Sequence, residues 1–288
     1  MADRAIIVGG TGLLGLPVAL QLKADRFEVA IMSTNPVRAR KELGDSFEIV
    51  EGDVTQPDTL LTALTDCRYV HLNLNAHTDP DLYRRIEIEG SQNVATVARA
   101  NGVKRISMIS GASSRGEEKG VIFLDAKVRA ERALIESGVP YTIFRPSWFF
   151  ETLSSFVIDG QATIIGNHTI PRRWLAAADY ARQVSNGLRH PEAANRSFYS
   201  LGPEPMTIQD AVVAYAKSCT EKVKIKNLSI SEARTLYSGE NAQPMNRAID
   251  FYEYMESMDE DVSSVEADDL IGPNLTTLQT WIATHSDK

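Results

Sequence analysis

The 288-residue sequence predicts a doubly wound α/β fold: a parallel sheet covered on both faces, followed by a smaller C-terminal α+β lobe. Short apolar runs alternate with longer amphipathic stretches through the first half, which is the pattern of repeated βαβ units. Several of those runs are continuously apolar, as parallel strands buried on both faces are. A glycine-rich turn, Gly9–Gly15, joins the first apolar run to the first amphipathic stretch.

Taken in order, the strands are expected at Ala5–Val8, Phe27–Met32, Phe47–Val50, Tyr69–Leu74, Ile106–Ile109 and Tyr141–Phe144. Helices fill the intervals at Leu13–Ala24, Pro36–Leu43, Asp58–Leu64, Asp81–Ala100 and Phe123–Glu136. Gly138 followed by Pro140 gives the last of these a stop signal. Beyond Arg145-Pro146 the alternation fades, and Gly160, Gly166, Pro171, Gly202, Pro203 and Pro205 punctuate shorter elements. A helix is expected at Thr207–Cys219 and a strand at Val223–Leu228. The expected domains are therefore residues 1–147 and 148–288, the second free to return elements to the main sheet.

Composition narrows the function classes. A formal net charge of -8 runs against a nucleic-acid partner, which calls for a basic face. Acidic residues crowd the stretch from Glu253 to Asp269 (Glu256, Asp259, Glu260, Asp261, Glu266 and Asp268 among them) and read as a solvated surface. Cys67 and Cys219 form no disulfide framework, and Cys67 beside an apolar strand reads as a buried small residue. His71, His77, His168, His190 and His285 are scattered, so no metal is expected. A strand begins at Ala5 and no apolar run reaches membrane-spanning length, so the expected location is the cytoplasm, with no membrane partner. Monomer and homodimer remain open.

A glycine-rich turn between a strand and a helix binds dinucleotides in a Rossmann-type fold. Gly9 permits the tight exit from the strand, Gly12 leaves room for a pyrophosphate, and Gly15 lets helix and strand pack closely. The helix start, at Thr11, Leu13 and Leu14, presents backbone N–H groups and a positive dipole end to phosphate. Both G-x-G-x-x-G (Gly10, Gly12, Gly15) and G-x-x-G-x-x-G (Gly9, Gly12, Gly15) fit. At the end of the second strand an acidic residue would select NAD(H) by accepting from the ribose 2′-hydroxyl. Met32-Ser33-Thr34-Asn35 stands there instead, with Arg38, Arg40 and Lys41 beyond, and hydroxyls with a guanidinium suit a 2′-phosphate. NADP(H) is the expected cofactor, ahead of NAD(H). Asp53, in Gly52-Asp53-Val54 after the third strand, falls near the expected adenine edge, although a turn-forming Asp would look the same.

Taken together, these residues resemble the NmrA-like, atypical short-chain dehydrogenase/reductases and their extended nucleotide-sugar epimerase branch. The resemblance runs through Gly9–Gly15, Gly52-Asp53-Val54, Glu89–Val94, Gly102–Ile106 leading to Ser110, Lys127, Ser137–Ile143 and Arg145-Pro146. It continues through Ala178–Ala181 and Ser200–Glu204. It implies that the cofactor also meets Val54, Leu74, Asn75 and Pro146, and that Trp148–Phe150 passes near the nicotinamide. It further implies Ser110 and Lys127 as catalytic residues, Lys127 also holding the nicotinamide ribose. The superfamily's tyrosine, four residues before the lysine, is replaced here by Phe123, and a phenyl ring transfers no proton. Three readings stay open. Lys127 acts without a tyrosine, as in isoflavone-reductase-like enzymes. Alternatively, Tyr141, Tyr180 or His168 replaces the missing phenol. In the third, the protein is a redox sensor or regulator that binds the dinucleotide without turnover. For Lys127 the competing view is a surface lysine paired with Glu131 one turn on. The leading expectation is hydride transfer between NADP(H) and a small organic substrate, with an epimerase-like activity as a further alternative.

Overall fold

The computed structural model describes residues 3–76, 79–114, 116, 120–219, 223–238 and 243–285, with only the backbone of Pro80, Gln243 and Pro244. His77 lies outside the described residues. Contacts divide the chain into two compact units: Met1–Pro146 with Ala177–Ser200 and Ser264–Pro273, and Ser147–Ala176 with Leu201–Ser263 and Asn274–Lys288.

In the first unit β1 (Arg4–Val8), β2 (Glu28–Ser33), β3 (Glu48–Glu51), β4 (Tyr69–Leu72), β5 (Arg105–Ile109) and β6 (Tyr141–Pro146) alternate with helices. These are α1 (Gly15–Ala24), α2 (Pro36–Leu43), α3 (Pro57–Ala63), α4 (Pro80–Leu82), α5 (Gly90–Ala100) and α6 (Ile122–Glu136). Among the described residues one parallel sheet runs in the order β3-β2-β1-β4-β5-β6, and the returning strand Arg196–Ser200 pairs with β6 as its seventh member. The chain winds outward from β1 to β3, then crosses back so that β4 pairs with the other edge of β1. That reversal opens a crevice at the carboxyl ends of β1 and β4, where open α/β sheets take their ligands.

The apolar runs become the core. Every residue of β4 and β5 is buried, and Ile6, Ala30, Val70, Ile106 and Ile143 join one cluster with Val94, Ala98 and Leu134 from the covering helices. Cys67 is buried, and burial pushes its thiol up to about 11. The expected helix from Leu13 starts at Gly15, because Leu13 and Leu14 are used in the glycine turn. The expected helix Asp81–Ala100 is not uniform: a π-helical stretch, Tyr83–Glu89, separates α4 from α5. Its extra residue per turn rotates the side chains of that stretch relative to those of α5.

Burial also encloses polar groups. Register places His71 of β4 opposite Ser107 of β5, and their side chains share a hydrogen bond of 2.9 Å. Arg105, at the start of β5, donates to the carbonyls of Gly187 and His190, capping the C-terminal end of the helix Ala177–Arg189.

The second unit has its own core of Phe150, Leu153, Trp174, Ile208, Val212 and Trp281. Gln161–Ile165 pairs in parallel with Lys224–Leu228 and antiparallel with Val157–Ile158. The acidic stretch is not uniformly solvated: Glu260 is buried and accepts from Ser147 Oγ at 2.5 Å. Arg172, itself buried, donates to the carbonyls of Met255 and Met258 at the end of the helix Gln243–Ser257. No described helix is long and apolar enough to cross a membrane.

His71 makes a stability prediction. Burial holds its imidazole neutral and pushes its pKa from 6.5 to about 3, so the unfolded chain takes up a proton that the folded chain refuses. This group's contribution is fully present above pH 6.5 and is lost as the pH falls from 6.5 towards 3. Over that interval it adds a slope of up to about 1.4 kcal/mol per pH unit. Urea titrations at a series of pH values should show the unfolding free energy of His71→Asn falling less steeply with acid than that of the wild type.

Candidate functional site

At the reversal point the backbone is drawn close on itself. Gly9 has a φ of +81°, and a Cβ there would lie 2.3 Å from the Asn73 carbonyl oxygen, at the exit of β4. A Cβ at Gly15 would lie 2.2 Å from the Gly9 carbonyl oxygen. Gly12 differs from both. Its Cβ would meet only Gly9 O at 3.4 Å and Asn73 Nδ2 at 3.8 Å, both ordinary contacts. Packing within the protein therefore does not require glycine at 12. No side chain caps α1 at Leu14, and Thr11, Gly12 and Leu13 are exposed at its start, while Gly12 N donates to Gly9 O and Leu16 N to Gly12 O. These residues fit a pyrophosphate.

The turn after β2 carries no carboxylate. Ser33 Oγ accepts from Asn35 N, and Asn35 Oδ1 caps α2 by accepting from Arg38 N. Thr34 is exposed, and Arg38 lies on the solvent face of α2, paired with Glu42 at 2.7 Å. That contact, and the hydrogen bond within it, raise the affinity of the guanidinium for its proton. Asp53 uses Oδ1 locally, accepting from Thr55 N and Thr55 Oγ1 at 2.8 Å each, while Gln56 Nε2 reaches Oδ2. It has the geometry of a turn-forming Asp. Val54 is buried against Gly90, and its carbonyl accepts from Asn93 Nδ2.

Across the crevice from the glycine turn, Leu74 and Asn75 leave β4. Lys127 Nζ donates to the Leu74 carbonyl at 2.9 Å and is ion-paired with Glu87 at 2.7 Å. The two side chains are 7% and 1% exposed, so Lys127 is no surface lysine. Nor is it paired with Glu131, whose carboxylate is taken by Arg145 of β6 through contacts of 2.9 and 2.5 Å. Ser110 is buried where β5 ends. Its backbone N–H donates to Phe144, and its Oγ has no hydrogen-bond partner among the described residues. Pro146 closes β6, its carbonyl accepting from Ala112 N at 2.8 Å.

Phe123 and Lys127 share one face of α6, but the phenyl ring packs edge-on against Tyr83 in a cluster with Ala76 and Ala126. None of the proposed substitutes has a site-facing place in the first unit. Tyr141 stands at the amino end of β6, opposite the carboxyl ends of the strands. Tyr180 is wholly buried between Phe144 and His71, and burial raises its phenol well above the usual range. His168 belongs to the second unit, where Nε2 meets the Ile165 carbonyl at 2.8 Å. Trp148, Phe149 and Phe150 also belong to that unit, and Phe150 stacks with Trp174 in its core. No cluster of metal-ligating side chains occurs among the described residues.

The residue missed in the sequence is Glu87. Its only signal there is a carboxylate between Ile86 and Ile88, three residues before Gly90, in a stretch that otherwise buries apolar side chains.

Comparisons with known proteins bear on the family and the fold. The NAD(P)H-binding family model matches residues 9–181. The chain is 25% identical over 233 residues to the photosystem II assembly factor Ycf39 of Cyanophora paradoxa, covering 78% of this chain and 72% of that one. It is 23% identical to the (4-alkanoyl-5-oxo-2,5-dihydrofuran-3-yl)methyl phosphate reductase of Streptomyces griseus, covering 98% of both. Its fold matches the crystal structure of Citrobacter sp. triphenylmethane reductase complexed with NADP(H), with a TM-score of 0.76 and 20% identity over 98% of this chain and 99% of that one.

Gly12 and Gly15 separate by substitution to alanine. Gly15→Ala drives a methyl into the Gly9 carbonyl and should lower stability by roughly 1–3 kcal/mol. Gly12→Ala has room for its methyl and should stay within about 0.5 kcal/mol of the wild type. Equal losses of thermal stability in the two variants would contradict the distinction.

Proposed function

This chain belongs to the NAD(P)H-binding family, and from that membership we propose that it is an NADP(H)-dependent oxidoreductase acting on a small organic substrate. The observation that carries the reading is the buried Lys127 ammonium held at the exit of β4, beside the point where the sheet reverses. A charge is kept in such a place at a desolvation cost that needs a use.

In this reading the Gly9–Gly15 turn, with Thr11, Leu13 and Leu14, takes the pyrophosphate against the start of α1. Ser33, Thr34 and Arg38 take the 2′-phosphate, the absence of an acid after β2 removing the group that would repel it. Asp53 and Val54 bound the adenine end. Leu74, Asn75 and Pro146 flank the nicotinamide end, and Lys127 donates to its ribose. The bound dinucleotide supplies or accepts the hydride. Ser110 Oγ, buried and without a hydrogen-bond partner among the described residues, hydrogen-bonds the reacting oxygen of the substrate. Relatives named as reductases support the choice of reaction class.

Phe123 favours a second reading, a dinucleotide-binding regulator without turnover. Its ring occupies the place of a proton donor and is committed to the cluster with Tyr83.

Fluorescence titration with NADPH and NADH tests the binding half. The wild type should prefer NADPH, and Gly12→Val should weaken it tenfold or more, a loss of at least about 1.4 kcal/mol. Arg38→Ala should weaken NADPH more than NADH, by roughly tenfold, since only NADPH carries the 2′-phosphate. A wild type that prefers NADH sinks the NADP(H) assignment.

Turnover is tested with NADPH and a panel of quinones, enones, carbonyl compounds and dyes. Oxidation of NADPH that disappears in Lys127→Met and falls about a hundredfold in Ser110→Ala supports the enzyme. Tight NADPH binding with no turnover across the panel supports the regulator.

A further inference from the structure

We propose that Glu87 is a positioning residue for the dinucleotide site: it fixes the Lys127 ammonium and the chain leaving β4 as one unit. The inference rests on the reading of Lys127 as the ribose-binding lysine.

The geometry is a clamp on a single carboxylate. Glu87 Oε2 pairs with Lys127 Nζ at 2.7 Å, and Glu87 Oε1 accepts from the backbone N–H of Ala76 at 3.0 Å. Lys127 Nζ in turn donates to the Leu74 carbonyl at 2.9 Å. One side chain thus joins α6, through its lysine, to the segment Leu74–Ala76 that leaves β4 beside the glycine turn. An ammonium has three donors. One is directed at the Leu74 carbonyl, and the contact with Glu87 Oε2 is an ion pair that holds the ammonium by charge, so a donor remains for a hydroxyl of the bound ligand.

The surroundings make the carboxylate necessary. Leu72, Leu74, Met108, Ile109 and Ala130, with Ser91, line the space around the pair, and both side chains are buried. A lone ammonium there would be strongly disfavoured, and a lone carboxylate equally so. The π-helical stretch Tyr83–Glu89 has its local reason here. Glu87 projects from it towards Lys127, while the adjoining α5 turns Val94, Ala95 and Ala98 into the apolar core. The clamp also explains how a lysine acts without the usual tyrosine beside it. With Phe123 turned into the cluster with Tyr83, the group that fixes the ammonium comes from the helix opposite rather than from α6 itself.

The test is a double-mutant cycle on NADPH affinity in the full-length protein, with thermal melting to verify folding. Glu87→Gln places an amide N–H against the ammonium and should weaken NADPH about tenfold; Lys127→Met should do the same. In Glu87→Gln/Lys127→Met neither buried charge remains, and its affinity should match Lys127→Met within about twofold, because the glutamine amide oxygen still accepts from Ala76 N–H and only the contact with the lysine is lost. Glu87→Asp keeps the charge and should recover part of the affinity that Glu87→Gln loses. The proposal is overturned by losses that multiply in the double variant, by Glu87→Gln or Lys127→Met binding NADPH as the wild type does, or by Glu87→Asp binding no better than Glu87→Gln. If the single variants do not fold, Glu87→Asp against the wild type decides: a severalfold loss supports the clamp, and unchanged affinity removes it. A wild type that binds no NADPH overturns the dinucleotide reading itself, a failure distinct from that of the cycle.

Discussion

Where β1 leaves the sheet, its backbone runs so close to the exit of β4 that no side chain fits between them. Gly9 faces the Asn73 carbonyl, and Gly15 at the head of α1 faces Gly9 in turn. The turn Gly9–Gly15 and the distant exit of β4 meet there, with the Asn73 side-chain amide directed at the Gly9 carbonyl. The meeting follows from the chain order: β4 returns to the free edge of β1, and the two strands end side by side. Everything at the site is placed relative to this junction. α1 starts at Gly15 against the Gly9 carbonyl, and the chain leaving β4 presents the Leu74 carbonyl to Lys127.

The second constraint is charge in an apolar interior. The first unit buries Lys127 with Glu87, Glu131 with Arg145, and Arg105 against the carbonyls of Gly187 and His190. Each charge meets an opposite charge or the carbonyl end of a helix, as burial demands. The pairs also tie elements that the sheet leaves unconnected: α6 to the π-helical stretch, α6 to β6, and β5 to the helix Ala177–Arg189. His71 has no such counter-charge, and the interior keeps it neutral instead. The second unit follows the same rule, with Arg172 satisfied by the carbonyls of Met255 and Met258.

Much of this is determined by the sequence alone. Unbroken apolar runs at Ile6–Val8 and Val29–Met32 point to strands covered on both faces, an arrangement that buries both sides of each run. The glycine spacing requires a close turn, since only glycine tolerates the φ at Gly9 and the approach at Gly15. The missing acid after β2 and the Phe123 replacement are facts of composition at a position, readable without coordinates. Tertiary structure alone decided the partners. Glu131 lies one helical turn from Lys127 and reads as its counter-ion, yet an i,i+4 pairing is worth only a few tenths of a kcal/mol, and Arg145 of β6 outbids it by meeting Glu131 in the interior. The true counter-ion, Glu87, stands 40 residues away, in the π-helical stretch before α5. Local pattern fixes which residues are buried; which buried charges meet depends on how distant helices pack across the sheet, and that information is not local.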